Sequence, residues 1–144
     1  MILAAIGDNL YNVFLLVHVL TAVVALGPVL AHSVARSEES PLTVKSIRQV
    51  YGPALVVSGL LGFGLAGLSK SGDLLVYKMS QPWLMIAFIV WVVMNGVLHG
   101  MVVPAARAVA DGEPTARSRV DTGTAIVSVL LVVMLWTMVF KPGF

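Results

Sequence analysis

Residues Trp83–Val103 read WLMIAFIVWVVMNGVLHGMVV, and no lysine, arginine, aspartate or glutamate interrupts them. A helix rises about 1.5 Å per residue, so this run measures about 30 Å, the depth of bilayer hydrocarbon. Three further apolar stretches of membrane-spanning length flank it, at Tyr11–Ala35, Val50–Leu68 and Val120–Phe140. Together they predict an all-α, polytopic membrane protein: a four-transmembrane-helix bundle whose connections use up residues 1–144 as a single membrane domain.

Composition agrees. Hydrophobic residues make up 58% of the 144 and charged ones 11%, against about 25% charged in soluble domains. Mean hydropathy is +0.95. The net charge of +2 and isoelectric point near 9.2 do not point to nucleic acid, because the basic residues flank apolar runs. There they set orientation and meet anionic lipid head groups. The chain has no cysteine, which excludes disulfides, thiolate metal sites, iron–sulfur clusters and thiol nucleophiles. The first run is longer than a signal-peptide core and follows no basic residue, so it is expected to stay as a membrane helix.

The first and third connections carry Arg36, Lys45, Arg48, Arg107, Arg117 and Arg119. The remaining segments outside the runs hold only Lys70, Lys78 and Lys141. Basic residues favour the cytoplasmic side, which predicts a multi-pass protein with its first and third connections in the cytoplasm and both termini outside. Tyr11, Tyr77, Trp83 and Trp136 then fall near the outer interface. Gly27 and Pro28 should kink the first helix, and Ser40 before Pro41 marks a helix start. Pro82 opens the third run, while Gly112 and Pro114 suit a turn in the third connection.

The second run is rich in glycine. Ser58, Gly62 and Ala66 fall four apart and share one helical stripe, as do Gly96 and Gly100 on the third run. Small residues at this spacing let two backbones approach closely, which in lipid takes the place of hydrophobic burial. The expected role is helix packing; the alternative for the second run is a flat groove for a planar ligand or a lipid tail.

Polar groups inside hydrocarbon cost several kcal/mol unless satisfied, so the intramembrane candidates are few. No carboxylate lies deep in any run, and Asp121 sits at the end of the fourth. This argues against ion-coupled transport. The histidines are His18, His32 and His99. His18 and His32 are fourteen residues apart on nearly the same face, hence about 21 Å apart along the axis, and do not share a metal. His18 and His99 differ in depth by about 12 Å on the same reckoning. The plain reading of each, which is favoured, is a neutral imidazole bonded to a neighbouring helix, or an interfacial residue in the case of His32; the alternative is a contact to haem, copper or a hydrogen-bonded quinone. Asn95 lies one turn from His99 and shares its face. Met94, Met101, Met134 and Met138 with a histidine form a donor set for Cu(I), but methionine is also an ordinary gap filler, and that reading is favoured. No nucleophile–base spacing or phosphate-binding loop is present, so no catalytic residue is assigned.

The stretch LLVHVLTAVVALGPVLA (Leu15–Ala31), with His18 followed by Leu26-Gly27, resembles the first helix of domain-of-unknown-function family 2269, predicted bacterial integral membrane proteins. More distantly it looks like the four-helix units of the copper resistance D proteins and the membrane protoporphyrinogen oxidases. Arg36 after the first run and VVPAARAV, with Pro104 and Arg107, after the third extend the likeness. The resemblance implies a four-helix fold and points to His18 as a copper or porphyrin contact. Ala25 replaces a tryptophan frequent in that pattern, and no lysine lies within the second span, so the oxidase activity is not carried over.

These readings predict a binding or accessory membrane subunit that holds haem, copper or quinone through His18, with His99 or His32 as a second contact. The alternative is a structural or assembly subunit that packs its glycine faces against a membrane-protein partner or another copy. A small transporter ranks below both.

Overall fold

A computed structural model describes residues 9–35, 47–71 and 74–143; the side chains of 26, 28–35, 47, 48 and 71 lie outside the description, as does the helix start expected at Ser40-Pro41. Four long helices dominate. Helix α1 spans Asn9–Ala35, and α2 spans Gly52–Leu68 behind a π-helical turn at Ile47–Tyr51. Helix α3 runs over Pro82–Ala110, and α4 over Arg117–Phe140 behind a 3-10 turn at Pro114–Ala116.

Three helical segments are long and apolar enough to cross a membrane: Gln49–Leu68, Pro82–Ala110 and Pro114–Phe140. Over its described side chains α1 adds a shorter apolar helix, Asn9–Ala25. Large apolar side chains such as Leu16, Leu60, Ile89 and Val132 face outward from all four helices. Water would penalise such a surface, and hydrocarbon would not.

Prolines shape the helices more than they break them. Helix α1 is assigned as α-helix without interruption through Gly27 and Pro28. Pro104 has no N–H to offer the Gly100 carbonyl, and its ring crowds the preceding turn. Helix α3 absorbs this in a π turn at Leu98–Val102, where the Val103 N–H reaches back five residues to the Leu98 carbonyl. The π turn before Pro53 occupies the equivalent place in α2. Both wide turns are proline accommodations within otherwise continuous helices.

Between α2 and α3 lies a two-stranded antiparallel ribbon, β1 (Lys70–Ser71) and β2 (Leu74–Leu75), with Lys70 opposite Leu75 and Ser71 opposite Leu74. Buried Ser69 ties this ribbon down: its hydroxyl donates to the Ala66 carbonyl at 2.6 Å and accepts the Tyr77 N–H at 3.0 Å. Gln81 then starts α3. Its carboxamide oxygen accepts the Lys78 N–H and the Trp83 indole N–H, and its nitrogen donates to the Val76 carbonyl.

Helix α1 packs along α2 and α3 along α4, while α2 and α3 touch little. Towards the end that carries the Asp111–Glu113 connection the bundle is dense. There Met94, Leu98, Val102 and Ala106 form a four-residue ridge on α3 that packs with Val120, Val127 and Leu131 of α4. A methyl group of Val102 enters the space over Gly123, 2.6 Å from where a Cβ would stand. At the ribbon end a second, smaller cluster joins Ala66, Trp83 and Leu84 with Tyr77 and Met138. Between the two clusters the helices part.

Candidate functional site

The space between the clusters is a cavity of about 470 Å³ lined by all four helices, a size ordinary for a small-molecule site. Its floor is Ala25, Leu55, Met94 and Leu131, which also belong to the dense cluster. The walls carry His18 and Val19 from α1, Ser58, Gly59 and Gly62 from α2, Phe88 and Trp91 from α3, and Met134 and Leu135 from α4. Its roof is Tyr77, Trp83 and Lys141.

Two ring N–H groups grip the same helix backbone. The Nδ1 of His18 lies 2.7 Å from the Ser58 carbonyl oxygen, and the Trp91 indole N–H donates to the Leu55 carbonyl at 2.9 Å. In an α-helix the Cβ at position i+4 leans back over the carbonyl of residue i. Here the residues four on from Leu55 and Ser58 are Gly59 and Gly62. At Gly62 a Cβ would stand 3.2 Å from the His18 ring, and at Gly59 it would overlap the Trp91 indole. The two glycines therefore uncover two carbonyls for two rings, one from α1 and one from α3.

The consequence for His18 is chemical. A carbonyl only accepts, so Nδ1 carries the proton and the neutral ring keeps its lone pair on Nε2. That nitrogen has no partner among the described residues. The tautomer is the one in which a histidine held by a backbone carbonyl offers its other nitrogen to a ligand. Around the ring, Thr21 donates to the Val17 and His18 carbonyls, so its hydroxyl is satisfied within α1.

Other intramembrane hydroxyls are satisfied in the same local way. Ser128 donates to the Thr124 carbonyl and fully buried Thr137 to the Val133 carbonyl, each at 2.8 Å. At the roof, the left-handed backbone of Lys141 (φ 42°, ψ 60°) closes α4. Its ammonium donates to the Tyr77 hydroxyl at 2.8 Å and stands 4.5 Å from that ring's centroid and 5.6 Å from that of Trp83. The turn that follows rests on the start of α3, since a Cβ on Gly143 would come within 2.9 Å of Pro82. Phe63, Phe88 and Trp91 meet edge to face or tilted, at centroid distances of 5.4–6.2 Å, along one wall.

The residues singled out in the sequence divide. His18 lines the cavity, together with Ser58, Gly62 and Ala66 of the α2 stripe. His99 does not join them: it lies in the π turn of α3, exposed, off the cavity. Gly96 and Gly100 are exposed beside it, and a Cβ at either would meet nothing within 4 Å. The side chain of His32 lies outside the described residues. No axial pair of His18 with His99 is formed, and among the described residues no three His, Cys, Asp or Glu side chains gather to hold a metal. Met94, Met134 and Met138 do share the cavity with His18, whereas Met101 does not line it.

Sequence reasoning missed Trp91 and the Ser58 carbonyl. A backbone carbonyl carries no residue signature. The visible sign was the pair Gly59 and Gly62, three apart, each one turn beyond a carbonyl that a ring can reach. Compared with known proteins, the chain matches no family model, no curated protein and no solved structure.

Proposed function

We propose that this protein is a membrane-embedded binding or accessory subunit whose cavity takes a ring-bearing, membrane-soluble ligand with its polar group on Nε2 of His18. In this reading α1, 27 residues long, is the fourth span, and both termini lie outside a bacterial cytoplasmic membrane, opposite the two basic connections. One observation carries the ligand reading: the Ser58 carbonyl takes the Nδ1 proton and leaves an acceptor nitrogen on the wall of an apolar, aromatic-lined cavity. The resemblance of the stretch around His18 to family 2269 points to the same residue.

A haem held by two imidazoles does not fit the described residues, because His99 is off the cavity. A quinol or phenol fits: its ring meets Trp91 and Phe88, and its hydroxyl supplies the donor that Nε2 lacks. The test is calorimetric titration of the detergent-purified protein with 4-decylphenol. Saturable one-to-one binding that His18→Phe weakens about tenfold, the weight of one hydrogen bond, supports the reading. A stoichiometric Soret band or copper content in the purified protein overturns it in favour of a metal on the same nitrogen.

A second reading, assembly through the exposed face of α3, has its own observation. His99 stands about 25 Å along α3 from Pro82 by helix rise. It has no hydrogen-bond partner among the described residues, and Gly96 and Gly100 lie smooth beside it. An unpaired imidazole facing hydrocarbon is costly, and a neighbouring helix would relieve it.

A further inference from the structure

We infer that the cavity discriminates by redox state, binding the reduced, hydroxyl-bearing form of a quinone-type ring in preference to the oxidised form. The inference rests on the reading of the cavity as a ring-binding site and specifies what that site selects. Its basis is the direction of one hydrogen bond.

A neutral imidazole has one donor and one acceptor. Here the donor is committed, because Nδ1–H points at the Ser58 carbonyl at 2.7 Å and Gly62 lets the ring stay there. What faces the ligand is a lone pair on Nε2. A quinol carries O–H groups and donates to that lone pair. A quinone carries only carbonyl oxygens, so at Nε2 acceptor meets acceptor and that nitrogen is left unsatisfied, whereas the donors elsewhere on the lining, the hydroxyls of Tyr11 and Tyr77 and the Lys141 ammonium, serve a carbonyl oxygen and a hydroxyl oxygen alike. A site built to receive a hydrogen bond rejects an analogue that cannot make it, because a buried polar group is then left unpaired. Thr21 cannot reverse the preference, since its hydroxyl proton is held by α1 carbonyls. The Ser58 hydroxyl, 3.5 Å from the His18 carbonyl oxygen, can both donate and accept and so serves either form of the ring alike.

The tautomer is checked first, without ligand. Nitrogen-15 resonances of the full-length protein in nanodiscs should show His18 with Nδ1 protonated and Nε2 bare; the opposite tautomer overturns the inference. Binding is then compared for two matched pairs, decyl-benzoquinol against decyl-benzoquinone and 4-decylphenol against its methyl ether. The second pair removes redox chemistry and keeps the donor difference. The hydroxyl-bearing member of each pair should bind about tenfold tighter or more. His18→Gln, whose amide turns to donate or accept, should bring both ratios close to one while binding persists. Equal affinity within both pairs in the native protein overturns the redox selectivity and leaves the cavity a binding site. Failure of all four compounds to bind overturns the site itself.

Discussion

At the end of the bundle that carries the Asp111–Glu113 connection, α3 and α4 meet through aliphatic side chains and small residues. There Val102 sits in the space over Gly123, and Ala106 is fully buried. At the end that carries the ribbon, glycines are also placed where helices cross, but the space they open is entered by aromatic rings, and a cavity of about 470 Å³ is left beside them. In lipid, helices associate through close packing and hydrogen bonds and gain little from hydrophobic burial. A void therefore forfeits dispersion contacts without the compensation of a sealed apolar core. Larger aliphatic residues in place of Gly59 and Gly62 would let α2 fill that space with its own side chains. Instead, His18 and Trp91 are each pinned to an α2 carbonyl. The difference between the halves shows that glycine in a membrane helix admits either a neighbour's methyl group or a ring that claims a backbone acceptor, and only the second leaves a site.

The most damaging way to break this contrast is Gly59→Ala. The new methyl overlaps the Trp91 indole itself, a bulky ring anchored at both its N–H and its aromatic neighbours. Expelling it loses the bond to Leu55 and the edge-to-face contact with Phe63. Overpacking of this kind costs about 1–3 kcal/mol, and the lost hydrogen bond adds about 1 kcal/mol. Unfolding of the purified protein in a denaturing detergent should shift accordingly, and Trp91 emission should move towards that of an exposed indole. An unchanged transition would mean that the ring has room to leave α2.

Gly123→Ala carries the comparison to the dense half. Here the intruder is one methyl group of a stiff β-branched side chain, with nothing but packing at stake. The expected loss stays near the low end of about 1–3 kcal/mol, and ligand binding in the cavity should be unaffected. A loss of binding equal to the loss of stability would join the two halves into one unit.

What the sequence made legible follows the same division. Of the four long apolar runs, three coincide with helices of spanning length, because hydrocarbon demands that length and keeps charge to the ends. Small-residue spacing identifies Ser58, Gly62 and Ala66 as one stripe, because helical periodicity puts them there. The cavity is not written in that way. It depends on which helix faces Gly59 and Gly62, and neither partner ring lies on α2. His99 illustrates the converse: an intramembrane imidazole looks functional by type, yet its helical phase turns it outward. The ribbon at Lys70–Leu75 left no trace either, since two-residue strands are too short to alternate.

Trp91→Phe sharpens the comparison within the cavity half. A smaller ring stays beside Gly59, while the N–H bond to the Leu55 carbonyl disappears together with part of the indole's packing. That carbonyl keeps its place in the α2 ladder, so the lost hydrogen bond costs about 0.5–1.5 kcal/mol, and the smaller ring adds a modest packing loss at this half-buried position. Detergent unfolding reads it, and tryptophan emission from the remaining Trp83 and Trp136 reports whether the roof and outer surface are undisturbed. A loss as large as that of Gly59→Ala would mean that the hydrogen bond, more than the ring's bulk, holds α3 against α2.

The smallest effect on the fold is expected at Gly100→Leu, on the face of α3 that belongs to neither half's interior. A side chain there meets open space, and leucine is a better helix former than glycine by about 0.5–1 kcal/mol, so the isolated bundle should be unchanged or slightly stabilised. The same leucine would stand in the way of any helix that comes close enough to satisfy His99. Molecular mass in mild detergent, by light scattering with the detergent contribution subtracted, separates the two cases. A native oligomer that Gly100→Leu dissociates while unfolding stays constant assigns this face to assembly. If mass and unfolding both stay unchanged, the face meets only lipid, and the glycines on α3 have a different meaning from those on α2: a smooth surface without a claimant, where Gly59 and Gly62 each have a ring.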